Sequence, residues 1–215
     1  MTGRLITFEG LDGSGKSTHL RHAEGWLRQR HFGVVCSREP GGTHLGQAVR
    51  QVFLEGAWTR PDGGVEALMV FAARRQHLLE VIDPALAAGQ WVLCDRFTDS
   101  TLAYQGSGRG ESLERLRELD LWATGARRPD RTLLFDLPAE LARARSHCDG
   151  RRSRQGGVNR LDTEELEFYE RVRAGYLDLA AAEPERFRVI DSAGSVEETA
   201  RQLEEVLAEL VEAVA

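Results

Sequence analysis

The sequence predicts an α/β fold, a five-stranded parallel sheet covered by helices on both faces, in a single domain over residues 1–215. Three observations predict it. Short continuous apolar runs alternate with longer stretches of helical spacing, which is how strands buried on both faces read. No internal repeat divides the chain, and 215 residues is an ordinary length for one domain. Hydrophobic residues make up 41% of the chain, enough at this size to bury most of the unfolded surface.

The elements follow in order. "LITFEG" (5–10) is an apolar run rich in strand formers, and after its glycines a helix extends from about Lys16 to Arg30. "GVVCS" (33–37) reads as a second strand. "LGQAVRQVFLEG" (45–56) has helical spacing, with Leu45, Val49, Val52 and Phe53 placed on one face. A long helix begins near Val65 and is bent or restarted at Pro84. "WVLC" (91–94), "RTLLFDL" (131–137) and "FRVID" (187–191) supply three more strands. The last helix opens with Ser195 and Glu198 in capping-box spacing, and its apolar face uses Val196, Leu203, Val206, Leu207, Leu210 and Val214.

The charge balance limits the partners. A formal net charge of −6 argues against a binder of nucleic-acid polymers, which are usually basic. No signal peptide is visible, and no apolar run approaches the ~18 residues of a membrane span, so a cytoplasmic protein is expected. Cys36, Cys94 and Cys148 lie far apart with no CxxC pair, which points to neither a zinc site nor a disulfide framework. Cys36 and Cys94 are expected to be small buried residues at strand ends.

Chemistry enters at "GLDGSGKS", which matches G-x-x-x-x-G-K-[ST] from Gly10 to Ser17 between a strand and a helix. Gly10, Gly13 and Gly15 let the backbone curl until its N–H groups point inward around a phosphate chain. The N-terminus of the following helix adds partial positive charge. Lys16 would reach the terminal phosphates, and the Ser17 hydroxyl can hold Mg²⁺. Leu11, Asp12, Ser14 and Thr18 complete the loop. Asp12 is an acid in a phosphate cradle with no basic residue before Lys16, so compensating charge must come from elsewhere.

A P-loop alone does not name a reaction, since GTPases, motor ATPases and small-molecule kinases share it. Other stretches bear on a second substrate. "SREPGGT" (37–43) is a rigid turn at a strand's carboxyl end, where ligands bind in open α/β sheets. In "CDRFTDSTLAYQG" (94–106), Asp95 ends an apolar run as a metal-binding carboxylate would, and Arg96 can fork onto a phosphate. "VFAARRQHL" (70–78) places Phe71 and Arg74 at i and i+3, a ring and a guanidinium on one face, as stacking on a base and reading its edge would require. "HCDGRRSRQGGVNR" (147–160) is polar, basic and glycine-containing, and its place between two helices predicts a mobile lid.

Taken together, "FEGLDGSGKST", "REPGGT", "FAARRQH", "DRFTDSTLAYQG", "FDLP", the Arg-rich lid and "FYERVRAGYL" (168–177) resemble the thymidylate kinases over almost the whole chain. The resemblance implies a P-loop nucleotide-kinase fold, transfer of the terminal phosphoryl group of ATP to dTMP with Mg²⁺, and a homodimer. Arg38 and Arg96 would hold the monophosphate. Phe71 would stack on thymine and Arg74 would donate to its 4-oxo group. Ser100 and Gln105 would line the base pocket, and Tyr104 would crowd the sugar's 2′ position. Asp12 would contact the 3′-hydroxyl, Asp95 would join Ser17 at the metal, and Arg145 would pack on the adenine of ATP. Of the lid arginines 151, 152, 154 and 160, Arg152 and Arg154 are the expected carriers of catalytic charge. The lid departs from the family pattern in ending "NRLD" (159–162). The rival readings are kinases of another nucleotide or nucleoside, and a GTP-dependent switch; no N-K-x-D-like guanine-reading motif occurs.

Overall fold

The structure, a computed structural model, describes residues 2–54, 61–148 and 165–213. Its centre is a sheet of five strands: β1 (Arg4–Gly10), β2 (Val34–Arg38), β3 (Trp91–Asp95), β4 (Arg131–Asp136) and β5 (Phe187–Asp191). They lie in the order β2-β3-β1-β4-β5, and every neighbouring pair is parallel. Parallel pairing needs crossover connections, and the intervening sequence supplies helices for them. All carboxyl ends therefore fall on one edge, and the order reverses beside β1, the switch point where ligands bind in such sheets.

Period-two alternation sorts side chains to the two faces. Ile6 and Phe8 of β1 and Leu133 and Phe135 of β4 pack with Leu20, Ala23 and Leu27 of α1 (Lys16–Arg28) and with Leu203, Leu207 and Leu210 of α9 (Val196–Glu212). Leu134 points the other way, into a cluster with Phe168, Val172 and Tyr176 of α8 (Leu166–Ala182). Leu5, Thr7 and Glu9 share that second direction by the same rule. Thr7 pairs with Thr132 across β1 and β4 at 2.9 Å, so its buried hydroxyl is satisfied. Glu9 follows two residues later and is fully buried at the sheet's carboxyl edge.

The remaining helices are α2 (His44–Leu54), α3 (Gly63–His77), α4 (Asp83–Ala87), α5 (Thr98–Thr101), α6 (Leu113–Thr124) and α7 (Ala139–Cys148). A π-helical turn, Leu78–Ile82, joins α3 to α4. The expected interruption near Pro84 thus takes the form of a widened turn, with Pro84 in the first turn of α4, where its missing N–H costs nothing. A second π-helical stretch, Leu102–Gly108, carries Tyr104 and Gln105.

Three expectations need correction. Of the four α2 residues expected on one apolar face, Val49 and Phe53 are buried, against Val70 and Ala73 of α3, while Leu45 and Val52 are exposed. Val196 is exposed at the first turn of α9. Cys94 is fully buried, but Cys36 is exposed because β2 is an edge strand that is only partly covered. The side chain of Cys148, Val214 and the 149–160 part of the expected lid lie outside the described residues.

The capping box at α9 forms as spaced: Ser195 accepts from the Glu198 amide and Glu198 accepts from the Ser195 amide. Ser195→Ala should cost about 1 kcal/mol. The check is a lowered urea midpoint with an unchanged denaturant slope.

Candidate active site

The loop between β1 and α1 has the shape its glycines permit. Gly10, Gly13 and Gly15 take φ of 133°, 84° and 84°. A Cβ on Gly13 would lie 2.1 Å from the Ala142 carbonyl oxygen, so the loop also needs glycine for its close approach to α7. The Lys16 ammonium is buried and donates to the carbonyls of Gly10 (3.0 Å) and Leu11 (2.7 Å). Burial and the nearby Arg96 pull its pKa down to about 8, against the opposing pull of Asp12, Asp95 and Glu9. The buried Ser14 hydroxyl has no hydrogen-bond partner. Thr18 is exposed and Leu11 belongs to the core.

Across the β1–β3 pair, the Ser17 hydroxyl donates to Asp95 Oδ2 at 3.0 Å. The other carboxylate oxygen, Oδ1, is buried and has no hydrogen-bond partner. A hydroxyl beside a carboxylate with a spare buried oxygen is a hard-oxygen donor set that fits Mg²⁺. Among the described residues the only His/Cys/Asp/Glu group with metal-like spacing is elsewhere, Glu39, His77 and Cys94.

Arg96 follows Asp95 directly and adopts φ 72°, a left-handed conformation that an arginine takes only under constraint. Its amide donates to Phe8 O (3.0 Å), and the next amide, of Phe97, donates to Glu9 Oε1 (2.7 Å). Its guanidinium reaches Asp12 (2.9 Å), Ser100 (3.1 Å), Tyr104 (3.2 Å) and Tyr176 (3.3 Å). Asp12 therefore faces away from the cradle wall and meets its counter-charge in Arg96. Beneath them, Glu9 Oε2 accepts from the Ser100 and Tyr176 hydroxyls at 2.5 and 2.9 Å.

These groups open onto a cavity at the carboxyl edge of the sheet, lined by Asp12, Arg50, Arg96, Ser100, Tyr104, Gln105 and Arg74, with apolar walls from Phe53, Val70 and Phe97. Of the residues expected to meet an acceptor, Asp12, Arg74, Arg96, Ser100, Tyr104 and Gln105 line this cavity together. Two do not. Phe71 is buried in the helical core, and Val70, one turn before Arg74, faces the cavity instead. Arg38 is exposed on the edge strand, and Arg50 of α2 occupies the wall. Arg50 lies close enough to feel Arg38, Arg96, Asp95 and Asp12, and burial followed by the two cations pulls its pKa down. Arg145 of α7 donates to the carbonyls of Ser192 and Ala193 at 2.6 and 2.7 Å, which fixes the loop after β5 beside the P-loop face. Arg151, Arg152, Arg154 and Arg160 lie outside the described residues.

Sequence reading missed Glu9, Arg50 and Tyr176. The signal for Glu9 was present: an acid at a core-facing position of a central strand must be satisfied or protonated. Arg50 carried none, because it sits on a helix of ordinary amphipathic spacing.

Burial first, and then the charge of Asp99, push the Glu9 carboxyl up to about 7. A raised folded-state value means the folded protein holds a proton that the unfolded chain has lost, so this contribution to stability falls as pH rises from about 4.5 through about 7. Glu9→Gln removes the titration. Its unfolding midpoint should gain on wild type between pH 5 and 8; parallel midpoints across that range would show Glu9 to be ionised throughout.

The comparison with known proteins agrees with this geometry. The family model described as thymidylate kinase matches residues 8–203. The thymidylate kinase of Cupriavidus metallidurans is 50% identical over 210 residues, covering 98% of this chain and 100% of that protein. The thymidylate kinase of Nitrosospira multiformis is 47% identical over 208 residues, covering 97% and 98%. The crystal structure of thymidylate kinase from Ehrlichia chaffeensis matches with a TM-score of 0.78 at 32% identity, covering 97% of this chain and 99% of that one. A match of this extent, on a sheet whose carboxyl edge holds both a phosphate cradle and an acceptor cavity, places the chain in the thymidylate kinase family.

Proposed function

We propose that this chain transfers the terminal phosphoryl group of ATP to dTMP, giving dTDP and ADP, at the junction of the P-loop and the Arg96 cavity. One observation carries the reading: the cradle with Lys16, and a cavity holding Arg96, Arg50 and Arg74, are joined through the Asp12–Arg96 pair. Donor phosphates on the cradle and an acceptor phosphate on Arg96 and Arg50 would then meet within one site. The attacking atom is already a phosphate oxygen, so no protein base is required, and catalysis is positioning plus charge stabilisation. Ser17 and Asp95 would hold Mg²⁺, which when bound neutralises charge on the transferring phosphates. Arg152 and Arg154, from the basic stretch that also holds Arg151 and Arg160, are proposed to add positive charge to the transferring phosphoryl group.

For the base, Arg74 Nη1 is the supporting feature. It is a buried donor with no hydrogen-bond partner, the Asp120 carboxylate being 3.8 Å away. An unmet buried donor costs roughly 1–3 kcal/mol, which a ligand oxygen such as the 4-oxo group would relieve. Val70 and Phe97 would take the apolar contact assigned to Phe71 from sequence. Tyr104 would sit at the sugar, its hydroxyl held by Arg96. The decisive experiment is ADP release with dTMP, dUMP, dCMP, UMP and thymidine. dTMP should have the highest kcat/KM and thymidine should be inert; a faster rate with thymidine or with another monophosphate would overturn the assignment.

Lys16→Ala should lower kcat at least a hundredfold without unfolding the chain. In the wild type, kcat/KM for ATP should fall above about pH 8, because free Lys16 loses its proton there. The fall in kcat should come at higher pH, since bound phosphates favour the charged lysine. A kcat/KM flat to pH 10 would remove Lys16 from the binding step.

A cytoplasmic homodimer is proposed. No described helix is long and apolar enough to cross a membrane. Val65, Leu68 and Leu79 on or just after α3, and Leu121 and Trp122 on α6, are exposed on elements that pack side by side; Trp122 is 79% exposed. Large apolar side chains exposed on neighbouring helices fit a self-association face. Leu121→Glu with Trp122→Glu should shift sedimentation from dimer to monomer, and an unchanged dimer would move the interface elsewhere.

A further inference from the structure

Five side chains next to the cavity form one continuous hydrogen-bonded chain. Ser37 Oγ lies 2.6 Å from His77 Nε2, His77 Nδ1 lies 2.9 Å from Glu39 Oε1, and Arg74 Nε donates to Glu39 Oε2 at 2.6 Å. Arg74 Nη2 closes the chain on Thr101 Oγ1 at 2.9 Å. His77, Glu39 and Arg74 are 0%, 3% and 1% exposed. A carboxylate oxygen only accepts, so Nδ1 carries a proton; in the neutral ring Nε2 then accepts from the Ser37 hydroxyl.

Serine, histidine and glutamate in this order are also the parts of a hydrolytic triad, but Ser37 cannot serve as a nucleophile here. Gly42 lies over the Ser37–His77 pair with φ 75°, and a Cβ there would be 2.6 Å from the imidazole and 2.7 Å from Ser37 Oγ. Neither Ser37 nor His77 lines the cavity, whereas Glu39 and Arg74 do. The chain leads inward from a covered end to the guanidinium.

A carboxylate beside an arginine tends to take two of its N–H groups in a fork. Glu39 gives Arg74 only one oxygen: its other, Oε1, meets His77, and Arg74 Nη2, the group a fork with Nε would use, is on Thr101. We propose that His77, held by Ser37, is a positioning residue for base recognition: by engaging Glu39 Oε1 it fixes the carboxylate whose other oxygen holds Arg74 Nε, and so keeps the guanidinium aimed to donate to a carbonyl oxygen of the acceptor's base. This rests on the reading of Arg74 as the base-reading donor. It extends that reading to a residue that touches no substrate. A donor-only group discriminates a 4-oxo from a 4-amino pyrimidine only while it is aimed, so loss of His77 should appear in selectivity before it appears in turnover.

The test compares kcat/KM for dTMP and for dCMP in wild type, Arg74→Ala, His77→Leu and His77→Asn. In His77→Leu the dTMP/dCMP ratio should fall at least tenfold, through KM for dTMP, while kcat for dTMP stays within about threefold. His77→Asn keeps an N–H near the Nδ1 position and should hold the ratio within about threefold of wild type. A purely structural histidine would lower stability and kcat without moving the ratio, and a folded His77→Leu enzyme with unchanged ratio overturns the proposal. If Arg74→Ala leaves the ratio intact, the base-reading role itself fails; if it collapses the ratio while His77→Leu does not, only the relay fails. Should His77→Leu not fold, Ser37→Ala decides: the ratio should fall threefold or more, and an unchanged ratio counts against the relay.

Discussion

The Asp12–Arg96 pair is the constraint on which the site depends. Asp12 belongs to the loop after β1 and Arg96 to the turn after β3, and their 2.9 Å contact locks the two loops that would carry the two phosphate chains. Arg96 reaches Asp12 from a backbone turned to φ 72°. That conformation costs an L-residue about 1–2 kcal/mol. It is held by the Arg96 amide on Phe8 and the Phe97 amide on Glu9, both on β1. The same Glu9 binds the hydroxyls of Ser100 and Tyr176, which in turn meet the guanidinium. A central strand thus sets both the backbone and the side chain of the arginine, and the β1–β3 register of Phe8 with Asp95 brings the two loops level.

The layout of the fold was legible because its strands are nearly pure apolar runs. Each of the five expected strands is present, with ends displaced by at most one residue, and the capping box of α9 formed as written. What was lost was lost at edges. Periodicity reports which face of a helix is apolar, not whether anything lies against it; Leu45, Val52 and Val196 belong to apolar stripes that their neighbours do not fully cover. Cys36 fails for the related reason that β2 has a neighbour on only one side. The π-helical turns at 78–82 and 102–108 left no trace in composition.

In the site, motifs were legible and single side-chain directions were not. Reading Phe71 with Arg74 as one face used i, i+3 spacing, but Val70 with Arg74 at i, i+4 satisfies helical geometry equally well, and only packing chooses between them. Phe71 belongs to the buried cluster that also holds Tyr104 and Phe168, and the guanidinium of Arg74 sits 5.0 Å from its ring centroid. Arg38 and Arg50 were separated the same way: both are basic and near "REPGGT", but one ends an edge strand facing solvent and the other is on a helix turned toward Arg96. Glu39 was quoted within its motif, yet its bond to Arg74 spans 35 residues, and no local pattern encodes it.

An acid inside a phosphate cradle is consistent with the charges that surround it. Lys16 is buried beside Arg96, and both effects favour loss of its proton; Asp12, Asp95 and Glu9 oppose that loss. Replacing Asp12 with a neutral residue would leave the buried Lys16 beside the half-buried Arg96 and Arg50 with one fewer counter-charge, and Lys16 would more readily lose its proton before any phosphate arrived. Asp12 therefore serves the cations more than it repels an anion. It keeps Arg96 aimed and Lys16 protonated while the site is empty, and an incoming phosphate then joins a charge arrangement already set rather than having to create it.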